Sequence, residues 1–212
     1  MQKTILILGA HGQIAQLAEQ EFIEQSEYQL KLFLRSASRM EINYPKRETL
    51  IEGDSTNLAE VKAAMKGVDA VYANLGGDSI VEQAKVVVEA MQATGVKRLV
   101  WISSLGIYDE VPGKFGIWLK GQIGEYLKRY REAADIIEAS DLDYTIIRPA
   151  ALTDKDEIDF EITQKNEPFK GTEVSRKSIA HVVVEVIKNY TEVKKSIGVN
   201  KPGTDGDKPA WY

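Results

Sequence analysis

Four apolar residues, Ile5 to Leu8, run directly into Gly9-Ala10-His11-Gly12, with Ala15 three positions further on. A buried strand that breaks into a glycine turn and then a helix leaves several backbone N–H groups without partners at one point, and an anion is their usual complement. Gly9 permits the tight turn, Gly12 lets a pyrophosphate approach the backbone, and Ala15 is small enough for the helix to pack on the strand. Gln13 and Ile14 open that helix, so their N–H groups and the partial positive charge of its first turn face the same place. The competing reading is a loop that merely needs small residues. A lone G-x-x-G-x-x-A match does not separate the two, so its surroundings matter.

Those surroundings alternate between strand and helix. Apolar runs recur at Leu30–Leu34, Thr49–Ile51, Ala70–Leu75, Leu99–Ile102 and Tyr144–Ile147, the last closed by Pro149. Between them Ile14, Leu17, Ala18 and Phe22 follow helical spacing, Asn57 with Glu60 and Ser79 with Glu82 have the spacing of a capping box, and Gly67 and Gly95 stand where helices would stop. Residues 125–140 and 175–190 read as two further helices. Glycine and proline gather from Val111 to Gly124 and from Gly198 to Pro209, which are expected to be loops. The pattern predicts an α/β, Rossmann-type doubly wound parallel sheet, with residues 1–212 as a single domain and those after about 150 forming a small substrate-side lobe.

A chain of 212 residues with 27 basic and 32 acidic side chains, net charge −5, is expected to have neither nucleic acid nor an anionic membrane as its main partner. The absence of cysteine excludes thiol catalysis and thiolate metal sites, and the two histidines, His11 and His181, belong to no metal-spaced cluster, so no metal is expected. No apolar run approaches the roughly 20 residues of a membrane span, and a cytoplasmic location is expected.

After the second strand comes Arg35-Ser36-Ala37-Ser38-Arg39, where a dinucleotide-binding unit selective for NAD carries an acidic residue. Two guanidiniums and two hydroxyls in five residues suit a 2′-phosphate, because Arg donates parallel charge-assisted hydrogen bonds to it. NADP(H) is the expected cofactor, through Arg35, Ser36 and Arg39. A solvated basic loop is the alternative.

The segments GAHGQIA, LFLRSASR, EGDSTN, ANLGG, VWISSLGIYD and YTIIRPAAL, in this order, resemble the atypical short-chain dehydrogenases of the NAD(P)H-binding, NmrA-like and flavin reductase (biliverdin reductase B)-like group, over roughly residues 3 to 190. The resemblance implies that Asp54 and Ser55 lie beside the adenine, that Asn74, Leu75 and Gly76 follow the cofactor ribose and phosphates, and that Pro149, Ala150 and Ala151 back the nicotinamide. Read without it, Asp54 is a turn or cap residue and Pro149 a strand terminator. Ser103 and Ser104 end the fifth strand, where open α/β sheets place ligand groups; by resemblance a serine here hydrogen-bonds the nicotinamide amide or the substrate carbonyl. His11 reads as a polar side chain near the phosphates, and His181 as a helix residue without chemistry.

One departure from that family is plain. Complete short-chain dehydrogenases pair a tyrosine with a lysine four residues on, which lowers the phenol pKa. Here Tyr126 is followed at that spacing by Tyr130 and Tyr108 by Pro112, while Lys128 points to another side of the helix. Tyr130 either bonds the ribose or, with Tyr126, is packing. Hydride transfer to a flavin-like or quinone-like ring does not need the pair, and Tyr108, Phe115, Ile117 and Trp118 are candidates for an apolar wall against such a ring, or for ordinary core cover. An NADPH-dependent oxidoreductase with a small planar or carbonyl acceptor is therefore expected, with Ser104, Ser103 and Tyr126 nearest the chemistry. The alternatives are an NADP(H) sensor acting on a regulatory protein partner without turnover and, less favoured, a nucleotide-sugar epimerase or dehydratase.

Overall fold

The computed structural model describes residues 3–212. Its first unit is β1 (Thr4–Leu8), α1 (Gln13–Gln25) and β2 (Gln29–Leu34); β3 (Glu48–Glu52), α2 (Leu58–Ala64), β4 (Ala70–Ala73), α3 (Ile80–Thr94) and β5 (Arg98–Ile102) continue the alternation. Then follow α4 (Gly113–Glu138), β6 (Asp143–Pro149), β7 (Ala151–Thr153), β8 (Glu161–Thr163), β9 (Glu173–Ser175), α5 (Arg176–Lys188) and β10 (Lys195–Asn200). The main sheet has the order β3-β2-β1-β4-β5-β6-β10-β8. All its pairings are parallel except β10 with β8, and β7 pairs with β9 in a separate parallel ribbon. This is the Rossmann architecture, with one antiparallel strand closing the edge.

Strands β4 and β5 are buried along their whole length, and β1 from Ile5 on, because helices cover both faces: α1 packs with α5, and α3 packs between α2 and α4. Burying each Ile or Leu of β1 contributes on the order of 1.5–3 kcal/mol. Register then aligns the functional ends. Leu8 pairs with Phe33 on one side and Ala73 on the other, so Gly9, Leu34–Arg35 and Asn74 emerge together. Ile102 pairs with Ile147, bringing Ser103 beside Arg148–Pro149.

Four expectations change. Residues 113–124 are not a loop but the first half of α4, because Phe115, Leu119, Ile123 and Leu127 form one stripe at i+4 spacing that packs on the core. The glycines register instead as a kink, at Ile123 (φ −133°, ψ 25°), next to Gly124. Gly198 is not in a loop either; it sits within β10, where a Cβ would lie 2.6 Å from the Phe169 ring. Ser79 precedes α3 without capping it through its side chain, in contrast to Asn57, whose Oδ1 accepts from Ala59 and Glu60 N–H. Residues after 150 are not all set apart from the main fold: α5 packs on α1, and β10 and β8 are strands of the main sheet, which leaves the β7–β9 ribbon and residues 201–212 outside it.

Candidate functional site

Two depressions meet at Asn74 and Leu75, on the edge where β1 and β4 diverge. Open α/β sheets bind ligands at this switch point.

The first is a polar cleft of about 260 Å³ lined by Gly9, His11, Gly12, Arg35, Ser36, Arg39, Asp54, Ser55, Asn74, Leu75 and Gly76, a set that sequence reasoning assembled; Phe33, Ser79 and Gln83 join it unannounced. Gly9 adopts φ +75°, and a Cβ on it would fall 2.3 Å from the Asn74 carbonyl oxygen. At Gly12 a Cβ would meet Asn74 Nδ2 at 1.9 Å. Gly9 is therefore required by the approach of the Asn74 backbone as well as by the turn, whereas at Gly12 the Asn74 side chain would have to move. Gly12 is the N-cap of α1 and offers no side-chain hydrogen bond, and the first turn holds no acidic residue. The helix start is left open to an anionic ligand.

Neither Arg35 nor Arg39 forms an ion pair among the described residues, although most other basic side chains near an acid do. Arg39 instead donates to His11 Nδ1 at 3.3 Å. Asp54 accepts from the backbone N–H and the hydroxyl of Thr56, both at 2.8 Å. These bonds, backed by the charge of Arg35, hold its carboxyl below the usual range. Asp54 is thus a turn residue that also lines the cleft.

The second depression, of about 480 Å³, is apolar and contains Ile14, Ser103, Ser104, Tyr126, Tyr130, Pro149, Ala150 and Ala151. Of the expected aromatic wall only Trp118 reaches it. Phe115 is buried beneath, Ile117 faces solvent, and Tyr108 lines a separate hollow among Arg131, Arg148 and Lys165. Ile102, Leu105, Leu119, Gln122, Ile123, Leu152, Arg176, Trp211 and Tyr212 complete the lining, and sequence reasoning missed all nine. Gln13 lines neither depression; its side chain lies in a shallow hollow beside Thr153 and Arg176.

The hydroxyls differ in what they are free to do. Ser104 Oγ donates to the Leu105 carbonyl at 3.1 Å, but Ser103 Oγ is buried without a partner among the described residues. A buried hydroxyl left unpaired costs about 1–3 kcal/mol unless a ligand satisfies it. Gln83 Oε1, in the polar cleft, is unpaired too. The Tyr126 ring stacks on Tyr130 with centroids 3.8 Å apart, and burial together with the Tyr130 hydroxyl pushes its phenol further up. Lys128 is committed to Glu125 at 2.5 Å. Tyr130 accepts from the Gly77 N–H at 3.3 Å, so it pins the Asn74–Gly77 loop.

Two buried ionic arrangements brace these walls. Arg148, fully buried, pairs with Glu110 and bonds Ser196, while Glu110 accepts from the N–H groups of Gly106 and Tyr108. The segment between Ser104 and α4 is thereby fixed to β6. Below the cleft rim, Glu19 and Glu48 are buried together; burial, then the Glu48 charge, raises the Glu19 carboxyl to about 8. Glu48 Oε2 accepts from Asn43 and Tyr44 N–H, holding the loop that follows Arg39. His181 Nδ1 lies 2.6 Å from Glu21, a tie between α5 and α1 that fits its expected structural role.

The open helix start, the guanidiniums outside any ion pair, the glycine cradle and the orphaned Ser103 and Gln83 atoms fit a dinucleotide. The sequence pattern of the NAD(P)H-binding family matches residues 9–190, and the chain belongs to that family. The chain's solved structural neighbours include short-chain dehydrogenases/reductases. It is 46% identical to a Rossmann-fold NAD(P)-binding family protein from Shigella flexneri, with TM-score 0.86, 99% of this chain and 98% of that one being covered. It is 28% identical, at TM-score 0.92, to a short-chain dehydrogenase/reductase from Veillonella parvula DSM 2008 solved in complex with NADP, with 99% and 100% of the two chains covered. A Bacillus subtilis relative called an uncharacterized sugar epimerase, YhfK, is 24% identical over 97% of this chain and 95% of its own. Among the described residues no helix is long and apolar enough to cross a membrane, and no group of metal-ligating side chains is present.

Proposed function

We propose that this chain is an NADPH-dependent oxidoreductase that reduces a small planar acceptor of the quinone or flavin type. The observation that carries the reading is the meeting, at Asn74–Leu75, of a polar cleft with two guanidiniums outside any ion pair and an apolar cavity with one unpaired hydroxyl. Bound NADPH supplies a hydride, and the acceptor ring takes it together with one proton from water. Arg35 and Arg39 select the 2′-phosphate, and the α1 start holds the diphosphate. Ser103 donates to the acceptor carbonyl oxygen as charge develops there. Tyr126 walls the cavity and does not relay the proton, because its phenol is raised and no lysine stands four residues on. The same reading puts the chain in the cytoplasm, in contact with the NADP(H) pool.

Loss of NADPH absorbance with menadione or FMN, faster than with NADH, is the expected result. The absent Tyr–Lys pair favours a second reading, an NADP(H) sensor that signals to a regulatory protein. Tight NADPH binding with no turnover on any quinone, flavin or carbonyl compound would select it. That same absence weighs against epimerase or dehydratase chemistry.

A further inference from the structure

Residues 201–212 bring Trp211 and Tyr212 to the lining of the apolar cavity, and nothing in the hydride-transfer reading accounts for them. This segment runs back along β9. Lys201 N–H donates to the Glu173 carbonyl at 2.8 Å, Thr172 N–H to the Thr204 carbonyl at 3.1 Å, and Ala210 N–H to Glu173 Oε2 at 3.2 Å. Lys114, at the start of α4, meets Asp207 at 3.0 Å. The segment therefore spans from the β7–β9 ribbon to α4, across the cavity mouth. There Tyr212 sets its ring edge to face with Trp118 at 4.9 Å, and Trp211 lies 6.5 Å from Tyr212.

These tethers hold two aromatic side chains that gain little for the fold. Trp211 is 51% exposed and Tyr212 62% exposed. Large aromatic rings held at a cavity rim by backbone and ionic ties, with half their surface in water, gain most when a flat apolar body covers them. Trp118, stacked on buried Phe115 at 6.0 Å, is the fixed wall against which Tyr212 rests.

We infer that Trp211 and Tyr212, together with Trp118, form an aromatic clamp that selects fused-ring planar acceptors for the site. This rests on the reading of the cavity as the acceptor site. The segment thus acts as a specificity element separate from the cofactor machinery, and its two side chains are free to change without disturbing the core.

The test is calorimetric titration of menadione into protein saturated with NADP+, so that binding is read without turnover. Trp211→Ala and Tyr212→Ala should each weaken menadione binding by about threefold to tenfold. Their combination should weaken it further, and Trp211→Phe and Tyr212→Phe should restore most of it. NADP+ affinity and melting temperature should not move. Unchanged menadione affinity in the double variant overturns the clamp, as does a lack of menadione binding by the unsubstituted protein. Menadione that binds through the clamp but is not reduced by NADPH would leave the clamp standing and remove the oxidoreductase reading. Equal rates of menadione reduction with and without both side chains would do the reverse.

Discussion

The polar cleft takes nearly all its residues from the four loops that leave β1, β2, β3 and β4, each within a few positions of its strand end. The apolar cavity beside it draws on residues from Ile14 to Tyr212. One is a product of backbone: glycines, strand register and an open helix start. The other is a product of tertiary packing, in which α4, the β7–β9 ribbon and a distant segment each lend one wall. On the proposed reading, cofactor recognition would accordingly be rigid and local, and acceptor recognition distributed.

The strongest way to break this contrast is at Gly9. Its φ of +75° and the 2.3 Å approach of the Asn74 carbonyl leave no room for a side chain. Gly9→Ala should cost about 2–4 kcal/mol and lower the melting temperature by roughly 5–15 °C, with NADPH affinity falling at least about tenfold. A variant that melts normally and binds NADPH normally would mean that the cleft is not set by backbone. Next in size is Arg35→Ala, expected to cost about 1–3 kcal/mol for NADPH and little for NADH, by calorimetry. Equal affinities of the unsubstituted protein for the two cofactors would defeat that expectation.

The Glu19–Glu48 pair sharpens the contrast from below the cleft rim. Glu19 is raised in the folded chain to about 8, from about 4.3 in the unfolded one. The folded state holds that proton more tightly, so its contribution to stability is full below the unfolded pKa and is lost as pH rises through the folded value. Glu19→Gln should gain about 1–2 kcal/mol over the unsubstituted protein at about pH 9, and thermal melts across pH would show a flatter profile. A parallel profile in the variant would assign the slope to other groups.

Smaller effects are expected in the apolar cavity. Ser103→Ala should lower turnover about tenfold with NADPH affinity intact, since its hydroxyl is the unpaired one. Ser104→Ala, whose hydroxyl is spent on Leu105, and Tyr126→Phe should each stay within about twofold. Should Tyr126→Phe instead abolish turnover in a folded, NADPH-binding protein, some other cation activates that phenol.

The same contrast explains what could be read from the chain alone. GAHG, the arginines after β2 and the Asn74 loop were legible because strand-end loops carry their chemistry in contiguous residues. Trp211, Tyr212 and Arg176 were not, since no local pattern says that they return to the mouth of a cavity opened by β1 and β4. Helix α4 was misread from 113 to 124 because Gly113, Gly116, Gly121 and Gly124 depress helix propensity by about 1 kcal/mol each, and propensity hid the apolar stripe that decides the matter. Ser79 shows the converse: its spacing from Glu82 is that of a capping box, yet its ψ of 8° leaves the side chain out of the cap.

The buried Arg148–Glu110 pair has a bearing on how such a site changes over generations. Losing either partner alone strands a charge in the interior at a cost of about 3–5 kcal/mol, a large share of the stability of a domain. A lineage can leave this arrangement only by altering both positions together, or by first acquiring spare stability elsewhere. Change in the span between Ser104 and α4 would therefore be costly, whereas the half-exposed rings at 211 and 212 could be exchanged one step at a time. New acceptors would be acquired at the rim, around a floor that inheritance keeps still.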